Sequence, residues 1–189
     1  MKPEEHGEWV RSLLERFEQP LVRYAVRITG NMEQARDVVQ DTFLQLCAAD
    51  RERVGEHAAA WLYTVCRNRA LDVARKERRM TPLTDMQAQT CESPEPPPSA
   101  VAERADAQNE IQRALHTLPE NQREVIRLKF QDAMSYREIS QVTGLSESNV
   151  GYLLHTAIRS IRRKVASKFE LPEKKFDKGL HPLADGEQS

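Results

Sequence analysis

Eight side chains in the stretch SESNVGYLLHTAIRSIRR have types and spacing that could do chemistry: Ser148, Asn149, Tyr152, His155, Thr156, Arg159, Arg162 and Arg163. At helical periodicity Val150, Leu154, Ala157 and Ile161 gather on the opposite side, as an apolar face must. The outward face carries hydrogen-bonding groups first and guanidinium groups last. That order suits a helix entering a major groove, where early residues reach base edges and later arginines hold phosphate. A second set lies upstream in AAAWLYTVCRNRALDVARKERR: Trp61, Thr64, Arg67, Asn68 and Arg75. A basic face with an aromatic ring and an amide beside it suits backbone tracking plus stacking on exposed bases, which is how single strands are held. Each set alone also reads as an ordinary solvated helix face, since charge runs commonly are that.

Covalent chemistry has no comparable constellation. There is no nucleophile elbow, P-loop or Gly-rich dinucleotide turn, and no metal-ligand cluster. No catalytic residue, metal, cofactor or small-molecule substrate is expected, and the protein is not read as an enzyme. Cys47, Cys66 and Cys91 are odd in number and widely spaced, which argues for structural thiols rather than a disulfide framework.

The elements that must position these groups are helices. Asn31 with Gln34 resembles a capping box opening EQARDVVQDTFLQLC. Thr117 with Glu120 around Pro119, Ser135 with Glu138, and Ser146 mark three closely spaced helix starts. The last two bracket a helix-turn-helix, with Ile139 buried, Ser140 small at the crossing, Gly144 in the turn and Leu145 plugging the corner. Gly151 is an oddity: within a helix glycine costs roughly 1 kcal/mol relative to alanine. It either admits close approach of DNA or is tolerated. No alternating run competes as a strand, so the chain is expected to be all-α.

The 189 residues suit two small domains. Residues 4–80 form the first and 103–168 the second, with an acidic, Pro-rich linker over 81–102 and a tail over 169–189. The net charge of −1 conceals an alternation. From Arg67 to Arg79 six bases face two acids, from Thr81 to Glu110 one base faces six acids, and from Arg159 to Lys168 five bases face none. Any attraction to DNA is therefore local. No apolar run approaches the roughly 20 residues of a membrane span. The start MKPEEHGEW lacks a signal core, so no membrane insertion and a cytoplasmic location are expected.

Taken in order, these segments resemble the sigma-70 family of bacterial transcription initiation factors, and within it the small two-domain extracytoplasmic function (ECF) group. LVRYAVRITGNMEQARDVVQDTFLQL is similar to the core of conserved region 2, and AWLYTVCRNRALDVARKERR to the helix that opens and reads the minus-ten promoter element. LPENQREVIRLKFQDAMSYREIS is similar to the start of region 4. The resemblance implies core RNA polymerase and promoter DNA as partners, and leaves room for an anti-sigma factor. It implies that Asp37, Gln40, Asp41 and Phe43 grip the polymerase clamp. It gives Trp61, Thr64, Arg67, Asn68 and Arg75 the minus-ten strand, and the eight residues from Ser148 to Arg163 the minus-35 element. AADRERVGEH matches the loop that captures a flipped base. Leu118, Pro119 and the helix after them match the part that seats on the polymerase flap, and the acidic linker matches the segment that threads the RNA path. The chain departs from the family at Gly151, Tyr152 and Leu153, where a Lys-Ser-Arg-like trio is usual, and at Thr156, which bears on the bases read.

Two other readings fit the residues without that resemblance: a helix-turn-helix regulator whose first domain senses a ligand or dimerises, and an adaptor whose first helices bind a protein. A regulator has no need of a second nucleic-acid surface at Trp61 to Arg79.

Overall fold

The computed structural model describes residues 3–80 and 111–169. The linker expected over 81–102, the first residues of the second domain and the tail from residue 170 lie outside the described residues. The elements are α1 (Pro3–Thr29), α2 (Met32–Ala48), α3 (Arg51–Val54) running into a 3-10 turn (Gly55–His57), α4 (Ala58–Met80), α5 (Glu120–Phe130), α6 (Tyr136–Thr143) and α7 (Glu147–Phe169). Residues 111–116 are also helical, and no strand occurs among the described residues.

α1 stops at Gly30, whose φ of 72° is cheap for a residue without a Cβ. One residue later Asn31 starts α2, its side-chain oxygen accepting from the amides of Glu33 and Gln34. The reciprocal half of the expected capping box is absent. The Asn31 amide instead donates to the Thr29 hydroxyl oxygen at 3.4 Å, and the Gln34 side chain is turned to α4, where its Nε2 donates to Glu77 at 3.1 Å. α1 and α2 thus form an antiparallel pair crossed by α4. Leu21, Tyr24 and Ala25 of α1, Val38, Val39, Phe43 and Leu46 of α2, and Leu62, Tyr63, Cys66 and Ala70 of α4 are buried together. Fully burying a large apolar side chain is worth about 1.5–3 kcal/mol. Pro20 lies inside α1.

In the second half α5 follows Pro119 with no side-chain cap. Thr117 does not serve as one, because its hydroxyl donates to the Ala114 carbonyl of the preceding helical turn at 2.7 Å. α6 opens on a complete capping box between Ser135 and Glu138 and closes on Gly144 at φ 75°. The Ser140 hydroxyl donates to the Leu145 carbonyl across the turn, and Ser146 receives the Asn149 amide at the start of α7. Val125 and Leu128, Ile139 and Val142, and Val150, Leu153, Leu154 and Ala157 bury the interior of this trio. The two interiors meet, for α4 packs along α6 and the buried residues of both halves form one cluster.

Candidate polymerase and nucleic-acid interfaces

Helical spacing on α2 puts Asp37, Gln40 and Asp41 on one side, as expected, with Asp37 and Gln40 exposed. Asp41 is anchored by Arg69 of α4 at 2.8 Å. Phe43 is not on this side: it is 6% exposed and belongs to the core. A period of 3.6 turns Phe43 inward and carries Leu44 out beside Asp37 and Asp41. Leu44 is 60% exposed, and it lines a shallow hollow with Asp37, Gln40, Asp41 and Arg69. Sequence reasoning passed over Leu44. Its signal was available, as the one large apolar residue on the acidic side of an amphipathic helix.

The segment expected as a loop over AADRERVGEH is instead wound into α3 and the 3-10 turn, with Asp50 capping the amide of Glu52. Beside it a hollow opens between α1 and α3, lined by Trp9, Leu13, Phe17, Arg16 and Arg51. The Arg51 guanidinium stands 5.6 Å from the centre of the Trp9 ring, a cation–π distance.

α4 divides the second set. Asn68 and Arg75 are exposed, Thr64 and Trp61 half-buried. Thr64 returns its hydroxyl proton to the Ala60 carbonyl, and Arg75 pairs with Asp72. Arg67 is engaged from the other half of the molecule. Its Nε lies 2.8 Å from Oε1 of Glu124 on α5 and its Nη2 3.3 Å from Oε2. The same carboxylate accepts the Tyr24 hydroxyl at 2.7 Å. One turn away Tyr63 donates to Asp132 at 2.6 Å, and the Tyr24 and Tyr63 rings lie 5.1 Å apart.

Electrostatics follow from this seam. The Glu124 hydrogen bond raises the pKa of Arg67. Burial, then the Glu124 charge, raises Tyr24, while burial and the bond to Asp132 raise Tyr63. Asp132 is itself pushed up by burial, against the pull of the Tyr63 hydroxyl and of Arg27. Arg127 is pulled down to about 10, by burial first and then by the like charges of Arg27 and Arg123.

On α7 the expected division holds. Ser148, Asn149, Tyr152, His155, Arg159, Arg162 and Arg163 are exposed and Thr156 half-exposed, with Val150, Leu154 and Ala157 inside. Leu153, one of the departures from the family pattern, is a core residue at 7% exposure. Gly151 does not offer its backbone outward, because a Cβ built there would point at the Tyr136 ring 3.5 Å away. Cys66 is buried, its pKa pushed up to about 12 by burial, and Cys47 is exposed. Among the described residues no cluster of metal-ligating side chains occurs, and no helix is long and apolar enough to cross a membrane.

A family profile described as Sigma-70 region 2 matches residues 13–80, and one described as Sigma-70, region 4 matches residues 108–161. The ECF RNA polymerase sigma factor SigL of Mycobacterium tuberculosis is 34% identical over 158 residues, 81% of this chain and 86% of the relative. The ECF RNA polymerase sigma factor EcfG of Rhodopseudomonas palustris is 32% identical over 67% of this chain and 68% of its own. The RNA polymerase sigma factor YlaC of Bacillus subtilis is 24% identical over 87% and 96% respectively.

Proposed function

The chain belongs to the sigma-70 family, in its ECF group, and from that premise we propose how its surfaces divide the work of starting transcription. It is a promoter-specificity factor that binds core RNA polymerase and directs initiation at promoter DNA. The observation that carries this is the pairing, in order on one chain, of a region 2 match containing the basic helix α4 with a region 4 match containing the helix-turn-helix. Sigma factors are not enzymes as a class, so polymerisation is the partner's chemistry, and no cofactor is needed. The work is done in the cytoplasm, where the polymerase is.

Asp37, Gln40, Asp41 and Leu44 form the face that docks on the polymerase, an acidic patch around one apolar contact, and Phe43 holds that face from beneath. Trp61, Thr64, Arg67, Asn68 and Arg75 hold the opened minus-ten strand. Melting costs about 1.4 kcal/mol per base-pair step, and a protein offsets it only by holding unpaired bases or their backbone. The α7 set, Ser148, Asn149, Tyr152, His155 and Thr156 with Arg159, Arg162 and Arg163, binds the minus-35 duplex, bases first and phosphates last. The division into residues 4–80 and 103–168, with 81–102 between them, assigns one promoter element to each half. An anti-sigma factor would act by covering one of these faces.

Run-off transcription with purified core enzyme, together with permanganate footprinting, tests the reading. The double change Arg67→Ala with Asn68→Ala should retain attachment to the polymerase, lose reactive thymines on an intact duplex and recover part of its activity on a template with the bubble already unpaired. Undiminished thymine reactivity would mean that α4 is not the melting surface.

A further inference from the structure

We propose that Arg69 of α4 is a positioning residue of the polymerase-docking site: it fixes the Asp41 carboxylate by one oxygen and leaves the other uncommitted for a donor of the polymerase. This rests on the docking role given above to Asp37, Gln40, Asp41 and Leu44.

α4 has two working sides. Arg69, Val73 and Glu77 recur at four-residue steps, so one stripe of the helix carries all three. That stripe lies against α2, where Arg69 meets Asp41 and Glu77 accepts from Nε2 of Gln34. Thr64, Arg67 and Arg75 fall on the opposite side by the same periodicity. The hollow that holds Asp37, Asp41 and Leu44 has Arg69 and Val73 in its wall as well. The docking site is therefore built by two helices, and the second of them is the one assigned to the opened strand.

The manner of the grip separates positioning from a plain surface ion pair. Arg69 reaches Asp41 through Nε at 3.0 Å and Nη2 at 2.8 Å, and both converge on Oδ2. Oδ1 takes neither of them. A fork spread over both oxygens would occupy the carboxylate more fully, whereas this one orients it and keeps acceptor capacity in hand. The Arg69 and Asp41 side chains are 51% and 40% exposed, and pairs so open to water add little to stability. The helices are held together without them, by the buried contact of Thr42 with Cys66 and by the bond between Gln34 and Glu77. Asp37 stands one turn from Asp41, and like charges four residues apart repel; Arg69 offsets that repulsion where both acids face the partner. A carboxylate already held needs no ordering when the polymerase arrives, so the gain falls on affinity.

The test is a double-mutant cycle on the full chain, read as equilibrium affinity for core polymerase without DNA. The urea midpoint of each variant controls for folding. Arg69→Ala should weaken core binding about fivefold at an unmoved midpoint, and Asp41→Ala should weaken it at least as much. In the Asp41→Ala background, Arg69→Ala should change nothing further, because the group it holds has gone. A merely structural ion pair would move the midpoint and leave the affinity of the folded protein alone.

Unchanged or tighter binding by Arg69→Ala, or a shifted midpoint at normal affinity, would each overturn the inference. So would a fivefold loss in both backgrounds, which would mean that Arg69 meets the polymerase directly. The docking reading has its own arm: if Asp37→Ala combined with Asp41→Ala binds core as tightly as wild type, that reading falls and takes the inference with it. Weakened binding in that double variant, with none in Arg69→Ala, sinks the inference alone.

Discussion

Adjacent residues on α2 should separate folding from docking. Phe43 is buried and Leu44 is mostly exposed, although both are large and apolar. Truncating a buried phenylalanine to alanine costs about 3–5 kcal/mol, from lost transfer energy and the cavity left behind. Phe43 lies beside Val39 and Leu46, where α1 and α4 close over α2, so the upper part of that range applies. Against a total stability of about 5–15 kcal/mol for a small protein, Phe43→Ala should move the urea midpoint by a large fraction, read by circular dichroism at 222 nm. Phe43→Leu, which refills most of the space, should cost under about 1.5 kcal/mol. Leu44→Ala removes a side chain already in water and should stay within about 0.5 kcal/mol of wild type. On the docking face proposed above its effect should fall on polymerase binding: truncating an apolar contact ringed by Asp37, Gln40 and Asp41 should weaken core binding by at least about fivefold, or about 1 kcal/mol. Equilibrium binding of each labelled variant to core enzyme supplies the second axis. The reasoning is refuted if Leu44→Ala unfolds the chain while binding normally, or if Phe43→Leu keeps full stability yet loses the polymerase.

Gly151→Ala should raise stability by about 0.5–1 kcal/mol, the helix-propensity difference, because the new Cβ meets the Tyr136 ring at an ordinary 3.5 Å; a lowered melting temperature would show that Tyr136 cannot yield. Replacing Arg159, Arg162 or Arg163 by alanine should weaken binding to all duplexes alike and flatten the salt slope by about one counterion. A shift in sequence preference at an unchanged slope would reverse the two ends of α7. The backbone and hydroxyl of Ser135 hold the Glu138 carboxyl below its usual range, so its stabilisation is present above the unfolded pKa of about 4.3 and lost as pH falls through the lower folded value. Thermal melts from neutral pH downward should show wild type losing its margin over Glu138→Gln below about pH 4; a margin that persists in acid would mean that the charge of Glu138 does not matter.

What could be read from the sequence was local. Ser135 and Glu138 are three residues apart and found each other as expected, as did Gly144 and its positive φ. Asn31 and Gln34 have the same spacing, yet only Asn31 caps: its own amide goes back to the Thr29 hydroxyl, and the Gln34 side-chain NH2 is drawn to Glu77, far along the chain. Thr117 was lost to a carbonyl just behind it. Periodicity placed the outward set of α7 and the faces of α2, but a motif carried over by resemblance brought Phe43 along as though it faced the partner. Arg67 was legible as a basic surface residue and no more, since nothing near it in the chain announces Glu124.

The polar contacts that close the two halves join residues 57, 69, 100 and 104 positions apart, whereas the α1–α2 and α6–α7 corners close over only a few residues. Short loops are cheap to close and long ones costly, so local pairs form early and distant ones late in folding. The Tyr24, Tyr63, Glu124 and Asp132 contacts are accordingly absent when each half passes its barrier. Weakening them should speed unfolding and leave the refolding rate of either half where it was. Closure is then a late event, and its lifetime can be altered by mutation without slowing the local steps that precede it.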